Sequence, residues 1–289
     1  MTARTCVVSV VVPFRNGADQ LRELLASLVR QDFDEPWEIV AVDNGSSDGA
    51  AEVARSFSGR LPIVVMSAPE RQNPAFARNS GTRQARADRF LFIDADDTVA
   101  TGYVSAMVRA LEIHPLVTSR VDSTALNAEW VREAHGPPWQ QERIGPFLGF
   151  LPGTGANIGI RRELFETIGR FDEGLHGSED LALSWSAQIQ AGVAPHFVVD
   201  ALYRYRYRAS YAGLFRQGVT WGRDHVRLYN RFRRHGMPGR PFRKSAGEWL
   251  DVALGLTVAP KKSRPALVVR LGCCSGRLLG SVKDGVAYL

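Results

Sequence analysis

Three carboxylates close the stretch "RFLFIDADD" (89–97): Asp94, Asp96 and Asp97 follow the apolar run Phe90, Leu91, Phe92, Ile93. Clustered carboxylates repel one another unless a cation sits among them. An all-oxygen donor set favours Mg2+ or Mn2+ over zinc. Mg2+ takes only one or two carboxylates and completes its shell with water and phosphate oxygens. An Asp-x-Asp turn after a strand therefore suits a metal–diphosphate unit. The other reading is local: an Asp-rich turn caps the next helix, and Asp97 is placed to do so for a helix at 101–113. A further acid, Asp43, ends "WEIVAVD" and opens "DNGSSDG". It can accept a hydrogen bond from a base N–H or a ribose hydroxyl, or it can simply shape the turn.

These residues need elements that hold them at one edge. "CVVSVVVP" (6–13) is β-branched and nearly all apolar, the pattern of a strand buried on both faces. Asp19 can cap a helix with Leu21, Leu24, Leu25 and Leu28 on one side. Strands follow at 37–43, 61–67 and 89–94, with a short helix from Asp48 to Phe57 between the first two. Asn73 and Pro74 make an N-cap and first position for the helix "PAFARNSGTRQARA". This β-α-β-α-β-α-β run predicts an α/β fold, a mostly parallel sheet flanked by helices. Ligands of such sheets sit beyond the carboxyl ends of the strands. The strand ends there are Pro13-Phe14-Arg15-Asn16, Asp43 and the Asp94–Asp97 cluster. Further on, 103–113, 161–168 and 179–191 read as helices, and 115–155 as loops with short or antiparallel strands. "GTGANIG" (153–159) has the wrong spacing and position for a dinucleotide-binding turn.

At 289 residues with 45% hydrophobic and 23% charged composition, the chain has the makings of a sizeable globular core. No stretch has the length and apolarity of a membrane span, and the N-terminal apolar run reads as a strand, not a signal peptide. Cys6, Cys273 and Cys274 offer no disulfide framework or metal spacing, which fits a cytoplasmic protein. The net charge of +6 is unevenly spread. Residues 1–200 hold 18 Lys/Arg against 26 Asp/Glu, and residues 201–289 hold 18 against 4. The basic segment reads as mainly helical. It either contacts the inner face of an anionic membrane as a peripheral helix, packs over the rest of the chain, or forms a dimer. Nucleic acid is not expected as its partner.

Taken in order, these motifs resemble the family 2 glycosyltransferases, which have the GT-A fold. "SVVVPFRN" resembles the family's opening strand, with Arg15 where an aromatic residue is common. "VDNGSSDG" is similar to its nucleotide-contacting turn, "ARNSGTRQA" to its phosphate-side helix and "FIDADD" to its metal-binding D-x-D. "GANIGIRRELFETIGRFDEGL" with "SEDLALSWSAQIQAG" resembles the acceptor-side block that ends in the Glu-Asp of the catalytic base. The resemblance implies a catalytic domain over 1–200, with a nucleotide-binding half (1–100) and an acceptor-side half (101–200), followed by the basic region 201–289. It implies that Pro13, Phe14, Arg15 and Asp43 form the nucleotide pocket. Arg78 would lie near the diphosphate, Asp94 near the ribose or metal, and Asp96 on the Mg2+ or Mn2+ ion. Asp180 would be the general base of an inverting, in-line transfer. Read alone, Asp180 is first an acid favoured at a helix N-terminus; the preceding "GRFDEGL" context turns the reading to the base. Absence of a Q-x-x-R-W motif and of membrane spans points to transfer of one sugar, from a nucleotide-sugar donor to a glycan, lipid-linked or small-molecule acceptor. Two other classes compete: a nucleotidyltransferase of related fold, which should carry a Gly-rich loop after the first strand, and a non-catalytic module that binds nucleotide sugar or an anionic polymer.

Overall fold

The computed structural model describes residues 6–135, 157–258, 260 and 263–289. In chain order the first half gives β1 (Val8–Phe14), α1 (Ala18–Val29), β2 (Trp37–Asp43), α2 (Ala50–Arg55), β3 (Ile63–Ser67), α3 (Pro74–Gln84) and β4 (Arg89–Phe92). Then come β5 (Thr98–Val99), α4 (Tyr103–Ile113), β6 (Leu116–Asp122), α5 (Glu129–His135), β7 (Ile158–Arg161), α6 (Arg162–Thr167), α7 (Glu179–Ala191) and β8 (His196–Arg204). Three long helices end the chain: α8 (Tyr211–Phe232), α9 (Phe242–Val258) and α10 (Arg264–Asp284). Of the stretch read as loops and short strands at 115–155, β6 and the unforeseen α5 are described, and 136–155 lies outside the described residues.

The strands form one sheet in the order β3-β2-β1-β4-β7-β6-β8-β5. Every residue of β1 is buried, as its unbroken apolar run requires. Alternate residues of β1 face opposite layers. Val8, Val10 and Val12 join a core with α1, α2 and α4, while Val11 joins a second core with Phe90, Phe92, Phe165 and Leu183. β3, β2, β1 and β4 are parallel, so their carboxyl ends lie on one edge. β7 runs antiparallel to both β4 and β6, which makes the second half of the sheet mixed.

Two close approaches set the helices. A Cβ on Gly81 would lie 2.6 Å from Val11 Cγ1 and 2.9 Å from Val42 Cγ2, so α3 rests directly on β1 and β2. A Cβ on Gly222 of α8 would lie 2.2 Å from the Cys273 carbonyl oxygen of α10, so those two helices touch backbone to backbone. Residue 200, the boundary read from charge and pattern, falls inside β8, and Ala201 and Tyr203 are core residues. α8 also shares a core with the α7 layer through Leu228, Phe232, Ala182 and Trp185.

The seating of α3 is directly testable. Gly81→Val should cost about 1–3 kcal/mol of stability by overpacking, read as a lower denaturant midpoint with unchanged slope.

Candidate active site

The edge where β1, β2 and β4 end is built from two stitched turns and one acidic turn. Phe14 and Asp43 are register partners in β1 and β2. Beyond them Asn16 adopts the left-handed conformation, φ 60°, tolerable for Asn because its short polar side chain bonds locally. Its Oδ1 accepts the Ser47 N–H at 2.9 Å, and its own N–H donates to Ser46 Oγ at 2.9 Å. Asp48 accepts the Ala18 N–H at 3.0 Å and the Ala50 N–H at 3.1 Å. Gly17 and Gly49, not Asp19 and Asp48, occupy the N-cap positions of α1 and α2. Asp43 Oδ1 accepts the Ser46 N–H at 2.8 Å and the residue stays half-buried. Pro13 and Phe14 are buried, Phe14 at 3% exposure within the core, so they offer the edge backbone and rigidity more than side-chain surface. Arg15 is exposed.

After β4, the turn Asp94–Asp97 carries the three carboxylates, whose ligand atoms all lie within 4.8 Å of one another. They are not equivalent. Asp97 is 1% exposed. Its Oδ2 accepts the Tyr203 hydroxyl at 2.7 Å and its Oδ1 the Arg206 N–H at 2.6 Å. It does not cap α4, whose N-cap is Gly102; the capping expectation is overturned because the tyrosine and the backbone after β8 claim both oxygens. Burial, reinforced by the charges of Asp96 and Asp94, pushes Asp97 well above the usual carboxylate range. Asp96 is also raised, first by burial, with Arg208 opposing. Arg208 Nη1 lies 2.9 Å from Asp96 Oδ2, and Arg206 Nε donates to the Asp96 carbonyl at 2.8 Å. Arg206 also pairs with Glu23 of α1 at 2.5 Å.

Asp94 is engaged from the other side. Arg78 of α3 donates to Asp94 Oδ1 through Nη2 and to Glu179 Oε1 through Nη1, both at 2.5 Å. Arg78 and Glu179 are buried, and the guanidinium lies 5.4 Å from the Phe171 ring centre. Burial works against the charge of Arg78, but Asp94 and Glu179 outweigh it and hold the group protonated beyond its ordinary range. A planar fork that bridges two carboxylates, one through each terminal nitrogen, is where arginine differs from lysine. Through Arg78 the acidic turn and the start of α7 become neighbours. Asp180, half-buried, follows Glu179 in the first turn of α7.

The block before α7 is clamped from both sides. From α3, Asn73 Oδ1 caps its own helix by accepting the Phe76 N–H, and Asn73 Nδ2 donates to the carbonyls of Glu173 and Leu175 at 3.0 and 2.9 Å. Asn79 exchanges hydrogen bonds with the Phe171 backbone at 2.9 and 3.2 Å. From α8, the buried Asp224 accepts the His176 and Gly177 N–H groups at 2.8 Å, and Arg231 pairs with Asp172 at 2.5 Å. Asn44 locks the base of the β2 turn to Ala68 and Arg71.

The donor set fits a hard divalent cation. Asp97 is committed to Tyr203 and Arg206, while described side chains engage only one oxygen each of Asp94 and Asp96, at Oδ1 and Oδ2. Two half-buried carboxylates with an oxygen to spare match what Mg2+ or Mn2+ takes beside phosphate oxygens. Arg15, Asp43, Arg78, Asp94, Asp96 and Asp180 thus come to one edge or its immediate rim. Residues not singled out from sequence as site residues are Asn44, Asn79, Tyr203, Arg206, Arg208 and Asp224. "YRYRYR" at 203–208 alternates aromatic and cationic side chains at the end of a strand, a signal that the acid-rich turn had a basic neighbour.

A sheet whose parallel half ends in an Asp-x-Asp turn, with an acidic helix start beside it, defines the GT-A fold of nucleotide-sugar transferases. Residues 9–169 match Glycosyl transferase family 2, and the chain belongs to that family. This sets aside the nucleotidyltransferase alternative. The uncharacterized glycosyltransferase YibD of Escherichia coli is 31% identical over 141 residues, 48% of this chain and 39% of that protein. The pre-mycofactocin glycosyltransferase of Mycobacterium tuberculosis is 28% identical over 212 residues, 70% of this chain and 43% of that protein. The chain thus spans less than half the length of these relatives. Among solved structures, the mannosyltransferase PcManGT from Pyrobaculum calidifontis in complex with GDP-Man and Mn2+ superposes with a TM-score of 0.59 at 20% identity, covering 98% of this chain and 77% of that one. Staphylococcus aureus TarS 1–349 in complex with UDP-GlcNAc gives 0.56 at 18% identity, covering 98% and 93%. These likenesses establish the fold.

Arg78→Met should cost about 3–5 kcal/mol, because the buried Glu179 loses its ionic partner. Adding Glu179→Met should recover part of that loss. A double-mutant cycle by urea denaturation measures both, and additive single effects would show that the pair is not coupled.

Proposed function

We propose that the chain transfers a single sugar from a nucleotide-diphosphate sugar to an acceptor hydroxyl, with inversion at the sugar carbon. The observation that carries this reading is Arg78, whose two ion pairs hold the Asp94–Asp96 turn against the Glu179-Asp180 helix start. In this reading the catalytic unit is the sheet domain through β8, and α8, α9 and α10 are its basic helical support.

The donor's base lies over the β1 and β2 ends, where Asp43 accepts from a base or ribose group and the backbone of Pro13 and Phe14 bounds the pocket. Arg15 stands exposed at the same edge. Asp94 and Asp96 would hold Mg2+ or Mn2+, which when bound neutralises charge on the departing diphosphate. Arg78, buried and permanently cationic, holds Asp94 in place at the donor side of the turn. Asp180 accepts the proton of the acceptor hydroxyl as its oxygen attacks the sugar carbon. One C–O bond forms while the bond to the diphosphate oxygen breaks, and that oxygen takes the electron pair. A single displacement of this kind inverts the centre, and the base and leaving group then face opposite sides of the sugar.

A panel of UDP-, GDP- and TDP-sugars, assayed for transfer and hydrolysis with Mg2+ and Mn2+, should identify a donor. Asp180→Asn should lower turnover about 10²–10⁴-fold, the usual size of general-base catalysis, with nucleotide binding retained; unchanged turnover overturns the base assignment. No turnover with any donor, alongside nucleotide-sugar binding, favours the non-catalytic module.

The metal assignment has its own test. Mn2+ with nucleotide should raise the melting temperature, by about 2.7 kcal/mol of stabilisation at a hundredfold excess over Kd, and Asp96→Asn should abolish the metal-dependent part. Metal-independent nucleotide binding with an unaltered Asp96→Asn response would remove Asp96 from the metal site.

A further inference from the structure

α9 buries Val252 but turns most of its large apolar side chains outward. Phe242, Trp249, Leu250, Leu254 and Val258 are 74%, 38%, 58%, 55% and 81% exposed. At 100° per residue they fall within one half of the helix circumference. The opposite half holds the polar contacts: Ser245 is buried, and Glu248 pairs with Arg240 and Arg277, the latter at 2.5 Å. Gly255 lies beneath Leu267 of α10 on that same side. A helix of a water-facing domain shows the reverse arrangement, and an exposed apolar face of this kind marks a contact surface.

Charge selects the occupant. Arg243 and Lys244 are exposed in the first turn of α9 and Arg264 is exposed at the start of α10, while Asp251 is the one exposed acid of α9. Residues 201–289 carry 18 Lys/Arg against 4 Asp/Glu. A second copy docked on this face would bring like charge against like charge. An anionic bilayer takes both features at once. Its acyl boundary receives the leucines and Val258, its headgroup level suits Trp249, and its surface potential attracts the flanking cations. No described helix is long and apolar enough to cross a membrane, so the contact is one of lying on the surface.

We propose that the outer face of α9 docks the protein on an anionic membrane surface. The proposal rests on the glycosyltransferase reading only for its purpose, presenting the site to a lipid-carried acceptor. Vesicle binding is measured without turnover, so either can fail alone.

The experiment is co-sedimentation of the full chain with phosphatidylcholine vesicles, with and without phosphatidylglycerol. Binding is expected to the mixed vesicles, to weaken with salt, and to fall at least about tenfold in the Leu250→Glu/Leu254→Glu variant, which loses two inserted side chains. Circular dichroism checks that the variant is folded, and these exposed positions make no core contact to lose. As a second readout, tryptophan emission should shift blue on mixed vesicles, and the shift should shrink in Trp249→Phe. Absence of wild-type binding, equal binding by the double Glu variant, or a dimer that the same substitutions dissociate without any vesicle binding would each overturn the proposal.

Discussion

A single guanidinium sits where the two halves of the site meet. Arg78 is buried, and burying an ion is costly unless its partners surround it with good geometry. Here two carboxylates and an aromatic ring partner it, while its Nε and Glu179 Oε2 are buried with no described hydrogen-bond partner. The constraint propagates outward. Arg78 reaches both partners only if α3 lies flat on β1 and β2, which Gly81 permits, and only if α7 starts at the height of the β4 turn. Glu179 in turn must be a carboxylate that faces inward, which leaves Asp180 as the acid at the rim. The adjacent Glu and Asp of the helix start thus differ: Glu179 is spent on Arg78, while Asp180 stands at the rim, where the proposed base belongs.

The acidic turn shows a related balance. Three carboxylates so close would drive one another's proton affinity up, and each is given a different answer. Asp97 is held by a tyrosine hydroxyl and a backbone N–H, Asp94 by Arg78, and Asp96 by the exposed Arg208. The first two are rigid and come from core elements. The third is a surface arginine, and surface ion pairs are weak and easily exchanged. The turn is therefore organised by the chain's own side chains, with the Arg208 pair its outermost and weakest contact.

Much of this was legible in the sequence because it rests on local rules. The β-branched run of β1, the Asn73-Pro74 start of α3 and the acids at the ends of β2 and β4 all come from periodicity and cap chemistry, and their positions in the structure agree to within a residue or two. What was not legible depends on contacts between distant segments. Nothing near Asp97 announces that Tyr203 and Arg206, more than a hundred residues on, will satisfy both its oxygens. The charge step near 200 is real, but it marks a change of surface, whereas the sheet continues through β8. Asp224 was invisible for the opposite reason: one acid in a strongly basic helix looks incidental until its two backbone partners are seen.

That last contact bears on how such chains diversify. The segment matched to the family ends at residue 169, just before the loop that α3 and α8 grip together. The grip on the α8 side consists of a few charged side chains meeting backbone groups and one aspartate, a small and transferable set. A graft that exchanges the helices after β8 would succeed only if Asp224 and Arg231 travel with the loop they hold. A cut ahead of Phe171 would in turn part the loop from Asn73 and Asn79 of α3, so the loop ties the sheet half and the terminal helices into one unit.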